Sequence, residues 1–210
     1  MRNNLRIGWL FLVIVLGSCT STKIVSSWKA PDISPQKFEK VLVVGLMGPK
    51  DLEIKENIEN AMAEQLRLYG INAITSTKQY GPKTFRNMQE AELVKMLSGD
   101  SFDGVMVVSL IDKSKEKYYT PGTIFYTPYY GIGRHFWPYY MMMYDRIYTP
   151  GYYTTSTNYT LEANLYDTKN DRLDYSAQAK SYDPGSPKSL ASAFSKSVVD
   201  DMVKQEVITK

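Results

Sequence analysis

Apolar and polar positions alternate along this chain in three distinct periods, and the periods divide it. Val41 to Leu46 (VLVVGL) is a short continuous apolar run, the pattern of a strand covered on both faces. After Gly48-Pro49, Asp51 is a plausible N-cap. Ile54, Ile58, Met62, Leu66 and Tyr69 then recur at helical spacing as far as Gly70, a residue suited to the position just past a helix end. Ile71 to Thr75 gives a second strand. A loop with Gly81-Pro82 leads to a second helix over 85–97, with Met88, Ala91, Val94 and Leu97 on one face, and Phe102 to Ile111 (FDGVMVVSLI) is the third strand. This β-α-β-α-β order predicts parallel pairing with right-handed crossovers.

The third strand does not end where its apolar pattern ends. Asp112 to Lys117 (DKSKEK) is polar on both faces, as is Thr154 to Asn158 (TTSTN) on the return, after which Tyr159, Leu161, Ala163 and Leu165 alternate with polar residues as a fourth strand. Val105 to Tyr119 and Tyr153 to Asp167 are each 15 residues, about 50 Å when extended. Matched arms with apolar inner halves and polar outer halves predict a long antiparallel hairpin whose distal end stands clear of the domain. Asp167 to Asp171 is a turn, and Leu173, Tyr175, Ala177 and Ala179 alternate as a fifth strand. Ser186 and Pro187 form an N-cap and N1 pair for a last helix lined by Leu190, Phe194, Val198 and Met202. The fold class is therefore α/β (α+β): a single mixed five-stranded sheet in βαβαβββα order, with strand order 2-1-3-4-5.

The N-terminus sets the compartment. Arg2 and Arg6 precede a ten-residue apolar run, Ile7 to Leu16, which is too short to span a bilayer and has the proportions of a secretory signal. It ends in Leu16-Gly17-Ser18-Cys19, which resembles the lipobox of bacterial lipoproteins. Residues 1–18 are expected to be a cleaved signal peptide, Cys19 the lipidated first residue, 19–37 a tether and 38–210 one domain. By the same resemblance, Thr20 is not the aspartate that retains lipoproteins in the inner membrane. The expected location is the periplasmic face of the outer membrane, held through lipid at Cys19. No later apolar stretch is long enough to cross a bilayer.

Charge changes little. Loss of Arg2 and Arg6 with the signal leaves 23 basic against 22 acidic residues, and the lysines are dispersed among acids instead of forming the basic patch of a nucleic-acid binder. Cys19 is the only cysteine, so no disulfide framework exists.

The distinctive composition lies between Tyr118 and Tyr153, where 14 of 36 residues are aromatic, against 27 in the whole chain. Tyr126, Tyr129, Tyr130, Phe136, Trp137, Tyr139 and Tyr140 are the candidate partner-binding residues. Tyrosine and tryptophan supply large contact area at low entropic cost and dominate interface hot spots. Three other readings stay open: a platform for stacking on sugar rings, a membrane contact through Phe136, Trp137 and Met141 to Met143, and a Tyr-Pro-Gly loop with no role. Catalysis is not expected. His135, the only histidine, stands without cysteine or clustered carboxylates, so no metal or cofactor is anticipated. Gly131-Ile132-Gly133 lacks the third glycine of a phosphate loop and follows no predicted strand.

With these elements in place, the signal, the βαβαβββα order and the segment Leu161 to Ser181, containing LYDTKNDRLDYSAQAKS, resemble small envelope lipoproteins of the broad class that includes the CsgG, LpoB and TolB N-terminal domains. Tyr175 stands where that class usually has tryptophan. The resemblance implies an accessory or assembly role. The expectation is a non-enzymatic interaction module with an envelope protein partner at the hairpin tip; the alternative is a glycan- or lipid-binding periplasmic lipoprotein.

Overall fold

The computed structural model describes residues 22–33, 38–81, 100–120, 135–141 and 151–209. One sheet organises them. Its strands are β1 (Thr22–Lys29), β2 (Lys40–Leu46), β3 (Asn72–Thr75), β4 (Gly104–Thr120), β5 (Tyr152–Asp167) and β6 (Arg172–Tyr182), in spatial order β1-β6-β5-β4-β2-β3. The helices are α1 (Leu52–Arg67), α2 (Ser76–Tyr80), a short α3 over 136–141, and α4 (Pro187–Lys204). The helix anticipated over 85–97 lies outside the described residues.

The sheet thus has six strands where the sequence pattern predicted five. The expected order of the five is kept, and β1 is added beyond β6, from a stretch read as tether. β1 pairs antiparallel with β6 from Thr22 opposite Ser181 to Lys29 opposite Tyr175, with an irregularity between Ile24 and Ser26. Its residues TKIVSSWK show no clean alternation. An edge strand needs less apolar content than a central one, and the lysines at both ends and the irregularity discourage further pairing.

Both long helices cover the same face. Ile54, Ile58, Met62 and Leu66 of α1 and Leu190, Phe194, Val198 and Met202 of α4 are buried at four-residue spacing, one stripe per helix. They pack on Met106 and Val108 of β4, Leu161, Ala163 and Leu165 of β5, and Tyr175, Ala177 and Ala179 of β6. Gly70 ends the α1 turn at φ +81, a conformation glycine adopts without a side-chain clash. Ser186 caps α4 in a reciprocal pair with Ser189, with Pro187 at the first helical position, as its sequence predicted. The opposite sheet face carries a smaller cluster of Leu42, Val44, Phe102 and Val105, so β2 is covered on both sides, as its apolar run required.

Two buried polar devices lock this frame. Glu59 of α1 is fully buried: Gly45 N–H (2.9 Å) and Ser76 Oγ–H (2.7 Å) donate to its Oε1 and Thr77 N–H (2.9 Å) to its Oε2, with Lys55 Nζ 3.7 Å away. One carboxylate thereby joins α1, the end of β2 and the start of α2. Gly45 is required for this approach, because a Cβ there would stand 2.7 Å from Lys55 Cγ. Tyr175, also fully buried, donates from its hydroxyl to Asp201 Oδ2 of α4 at 2.7 Å. Burial first, then that hydrogen bond and the Asp201 charge, push its phenol well above the usual tyrosine range.

Candidate interaction site

The hairpin forms as its sequence implied. β4 and β5 pair antiparallel from Gly104 opposite Asp167 to Thr120 opposite Tyr152, with one shift between Leu110 and Asp112 that leaves Ile111 exposed. β2 stops at Leu46 opposite Ser109, and β6 stops at Tyr182 opposite Asn158. Asp183 still holds Thr157, donating its N–H to the carbonyl and accepting from the Thr157 N–H, each at 3.1 Å; from Glu116 to Thr120 and from Tyr152 to Ser156, β4 and β5 have no other strand beside them.

Pleating sorts the side chains of this arm. Lys113, Lys115, Lys117 and Tyr119 share one face and lie opposite Tyr159, Thr157, Thr155 and Tyr153, while Ser114, Glu116, Tyr118 and Thr120 share the other. Lys113 Nζ donates to Asp51 Oδ1 at 2.6 Å, which ties the base of the arm to the start of α1. Asp51 holds the N-cap position, but its side chain makes no capping bond. Its carboxylate serves Lys113 instead, and that hydrogen bond, offset by burial, raises the lysine's proton affinity. Farther out, Tyr118 donates to Glu116, and the Tyr119 and Tyr153 rings meet at 5.0 Å in a tilted pair.

In the segment that joins the two arms, α3 presents a ring cluster. The Phe136 centroid lies 5.4 Å from Trp137, edge-on, and 5.8 Å from Tyr140, stacked; Trp137 and Tyr140 stand 6.1 Å apart, edge-on. These rings touch each other and are open to solvent: Phe136 is 70% and Trp137 68% exposed, and His135, Tyr139, Tyr140 and Met141 are exposed as well. Of the residues singled out from the sequence, Phe136, Trp137, Tyr139 and Tyr140 are brought together here. Tyr126, Tyr129, Tyr130 and Cys19 lie outside the described residues. The sequence reading overlooked the tyrosine pair Tyr119 and Tyr153 and the lysine face, although the alternation in KSKEKYY carries both at period two.

Ring faces, phenol hydroxyls and an indole N–H are groups that bind, through buried area and directed hydrogen bonds. Among the described residues, no three of His, Cys, Asp and Glu gather as metal ligands, and no helix is long and apolar enough to cross a membrane. A recess of about 500 Å³ at the other end of the sheet is lined by Glu39, Lys40, Phe102, Asp103 and Lys169. Its Asp103 carboxylate accepts from Glu39 N–H at 2.7 Å and Lys40 N–H at 2.9 Å, and Lys40 Nζ donates to Asp100 O at 2.6 Å.

No protein-family model matches the chain, and no curated protein matches it. Among solved structures it is similar to the PelC dodecamer from Paraburkholderia phytofirmans, with a TM-score of 0.47 and 11% identity over 90% of this chain and 99% of that one. It is also similar to the lipoprotein GNA1162 from Neisseria meningitidis, with a TM-score of 0.44 and 14% identity over 79% of this chain and 99% of that one. Neither likeness assigns this chain an activity.

Proposed function

We propose that this protein is a non-enzymatic, lipid-anchored interaction module of the cell envelope, held through Cys19 on the periplasmic face of the outer membrane. It contacts its partner through the aromatic tip of the β4–β5 hairpin. The observation that carries this reading is the exposure of the Phe136, Trp137 and Tyr140 cluster in the segment that joins the strands of a two-stranded arm. A soluble domain does not ordinarily leave contiguous rings in water without a surface to bury them against. The signal segment and the lipobox at Cys19 support the anchor and the compartment.

The test has two parts. Replacing Gly122 to Gly151 by an Asn-Gly turn should leave the melting temperature within about 2 °C of wild type, since rings this exposed contribute little to folding. A photo-crosslinking residue in place of Tyr140 should give one dominant adduct in intact cells, and none in a chain also carrying Phe136→Ala and Trp137→Ala. Absence of any adduct, to protein or to lipid, would overturn the assignment of the tip as the contact. A large fall in melting temperature would show instead that the rings serve as core.

A further inference from the structure

The direction in which the tip points is fixed by β1. Lys113, Tyr159, Ser181 and Thr22 form one row across four adjacent strands, and Thr22 Oγ1 and Ser181 Oγ share a hydrogen bond of 2.6 Å. From this row β1 runs back along the domain to Lys29 opposite Tyr175. The chain upstream of Thr22 therefore leaves the sheet where the hairpin arms set out. Cys19 stands three residues before Thr22, at most about 11 Å of extended chain. The arms continue past the row for the seven residues from Ser114 to Thr120, about 23 Å. On the other side of the row the domain extends the length of β1, again about 23 Å. A bilayer that holds acyl chains on Cys19 must lie close to the row, and the bulk of the domain closes off the β1 side. The hairpin outreaches the tether, so its tip meets that bilayer, whether it lies along the surface or dips into it.

What the tip brings there suits a bilayer surface. Lys115 and Lys117 are exposed on one face of the arm, and the same face ends in Tyr119 against Tyr153. The ring cluster follows, with Met141 exposed beside it and no carboxylate anywhere in 135–141. Cations that lead into tryptophan, tyrosine and phenylalanine follow the order of a membrane interface, where lysines meet anionic headgroups and amphipathic rings collect at the boundary with the acyl chains.

We propose that the surface contacted by the tip is the bilayer that carries the anchor. Phe136, Trp137 and Tyr140 sit at the headgroup boundary, and Lys115 and Lys117 face anionic headgroups. This inference rests on the reading of Cys19 as the anchor and of the tip as the contact.

The test uses the acylated full-length protein in vesicles of phosphatidylethanolamine and phosphatidylglycerol that contain lipid brominated on its acyl chains. Trp9 leaves with the signal, so Trp28→Phe makes Trp137 the sole tryptophan. Trp137 fluorescence should shift to the blue and be quenched by the brominated lipid. Trp28, observed alone in Trp137→Phe, lies opposite Ser176, well back from the row, and should not be quenched. Unacylated Cys19→Ala protein should bind the same vesicles at least about tenfold more tightly than its Phe136→Ala, Trp137→Ala counterpart, and Lys115→Gln with Lys117→Gln should weaken binding only when phosphatidylglycerol is present. An unquenched Trp137 overturns the inference. If the Tyr140 crosslinker then captures one protein, the tip remains the contact and the partner is that protein; if it captures nothing, both readings fall. Protein that carries no acyl chain at Cys19 overturns the inference through its premise.

Discussion

Glu59 offers the sharpest test of how this frame is held. Its side chain is fully buried, and its two oxygens receive two backbone N–H groups and one hydroxyl from two other elements, β2 and α2. Glu59→Ala would leave Gly45 N–H and Thr77 N–H buried or half-buried without their acceptor; each such loss costs roughly 1 to 3 kcal/mol. The carboxylate's own desolvation cost disappears with it, which offsets part of the loss. A net destabilisation of about 3 kcal/mol follows, against the 5 to 15 kcal/mol of a typical domain. For a chain of this size that corresponds to a fall of roughly 6 to 12 °C in melting temperature. Glu59→Gln keeps the size and one acceptor but turns an amide NH₂ toward a donor, so it should fall between Glu59→Ala and wild type. Ser76→Ala removes one bond and should cost about 1 kcal/mol. Urea unfolding followed by tryptophan fluorescence gives all three values with one probe. A Glu59→Ala protein within about 0.5 kcal/mol of wild type, or one more stable than Ser76→Ala, would refute the clamp.

Tyr175→Phe should cost about 1 kcal/mol at neutral pH through the lost bond to Asp201. Because the folded phenol is held neutral above its ordinary range, its contribution is complete below about pH 10 and is lost as the pH rises further, at about 1.4 kcal/mol per pH unit; stability curves that stay parallel for wild type and Tyr175→Phe above pH 10 would contradict this. Val108→Asp, at a position with no exposure, should cost several kcal/mol or abolish folding, whereas Leu110→Asp, half-buried beside the Asp112 irregularity, should cost visibly less by thermal melting. A double-mutant cycle on Thr22→Ala and Ser181→Ala should give a coupling of about 1 kcal/mol; zero coupling would mean that β1 is not docked on β6.

Much of this architecture was legible because local periodicity carries it. The four-residue spacing of Ile54, Ile58, Met62 and Leu66, the serine and proline before Leu190, and the continuous run Val41 to Leu46 each state which face is buried, and a helix or strand satisfies that demand almost regardless of its neighbours. The hairpin was legible for a related reason: DKSKEK and TTSTN cannot be core on either face, yet they flank strands of equal length, so pairing them costs nothing in buried charge. The lysine face was equally present at period two, but a stretch that is polar on both sides gives no signal of which side matters until register and neighbours are known.

Local pattern alone specified the elements that must bury a stripe, a signal-like N-terminal apolar run that ends at Cys19, and the concentration of rings in one stretch. Long-range packing was needed to make Thr22–Lys29 a strand, to make Glu59 a junction and not a surface acid, and to set the start of β1 and the outer half of the hairpin on the same row. The difference is one of range. An amphipathic stripe is written in residues three or four apart, whereas the β1 edge is held by backbone hydrogen bonds to β6, a partner some 159 residues away at Thr22 and Ser181. Any extended segment of tolerable sequence can make those bonds, and nothing in its own side chains announces them.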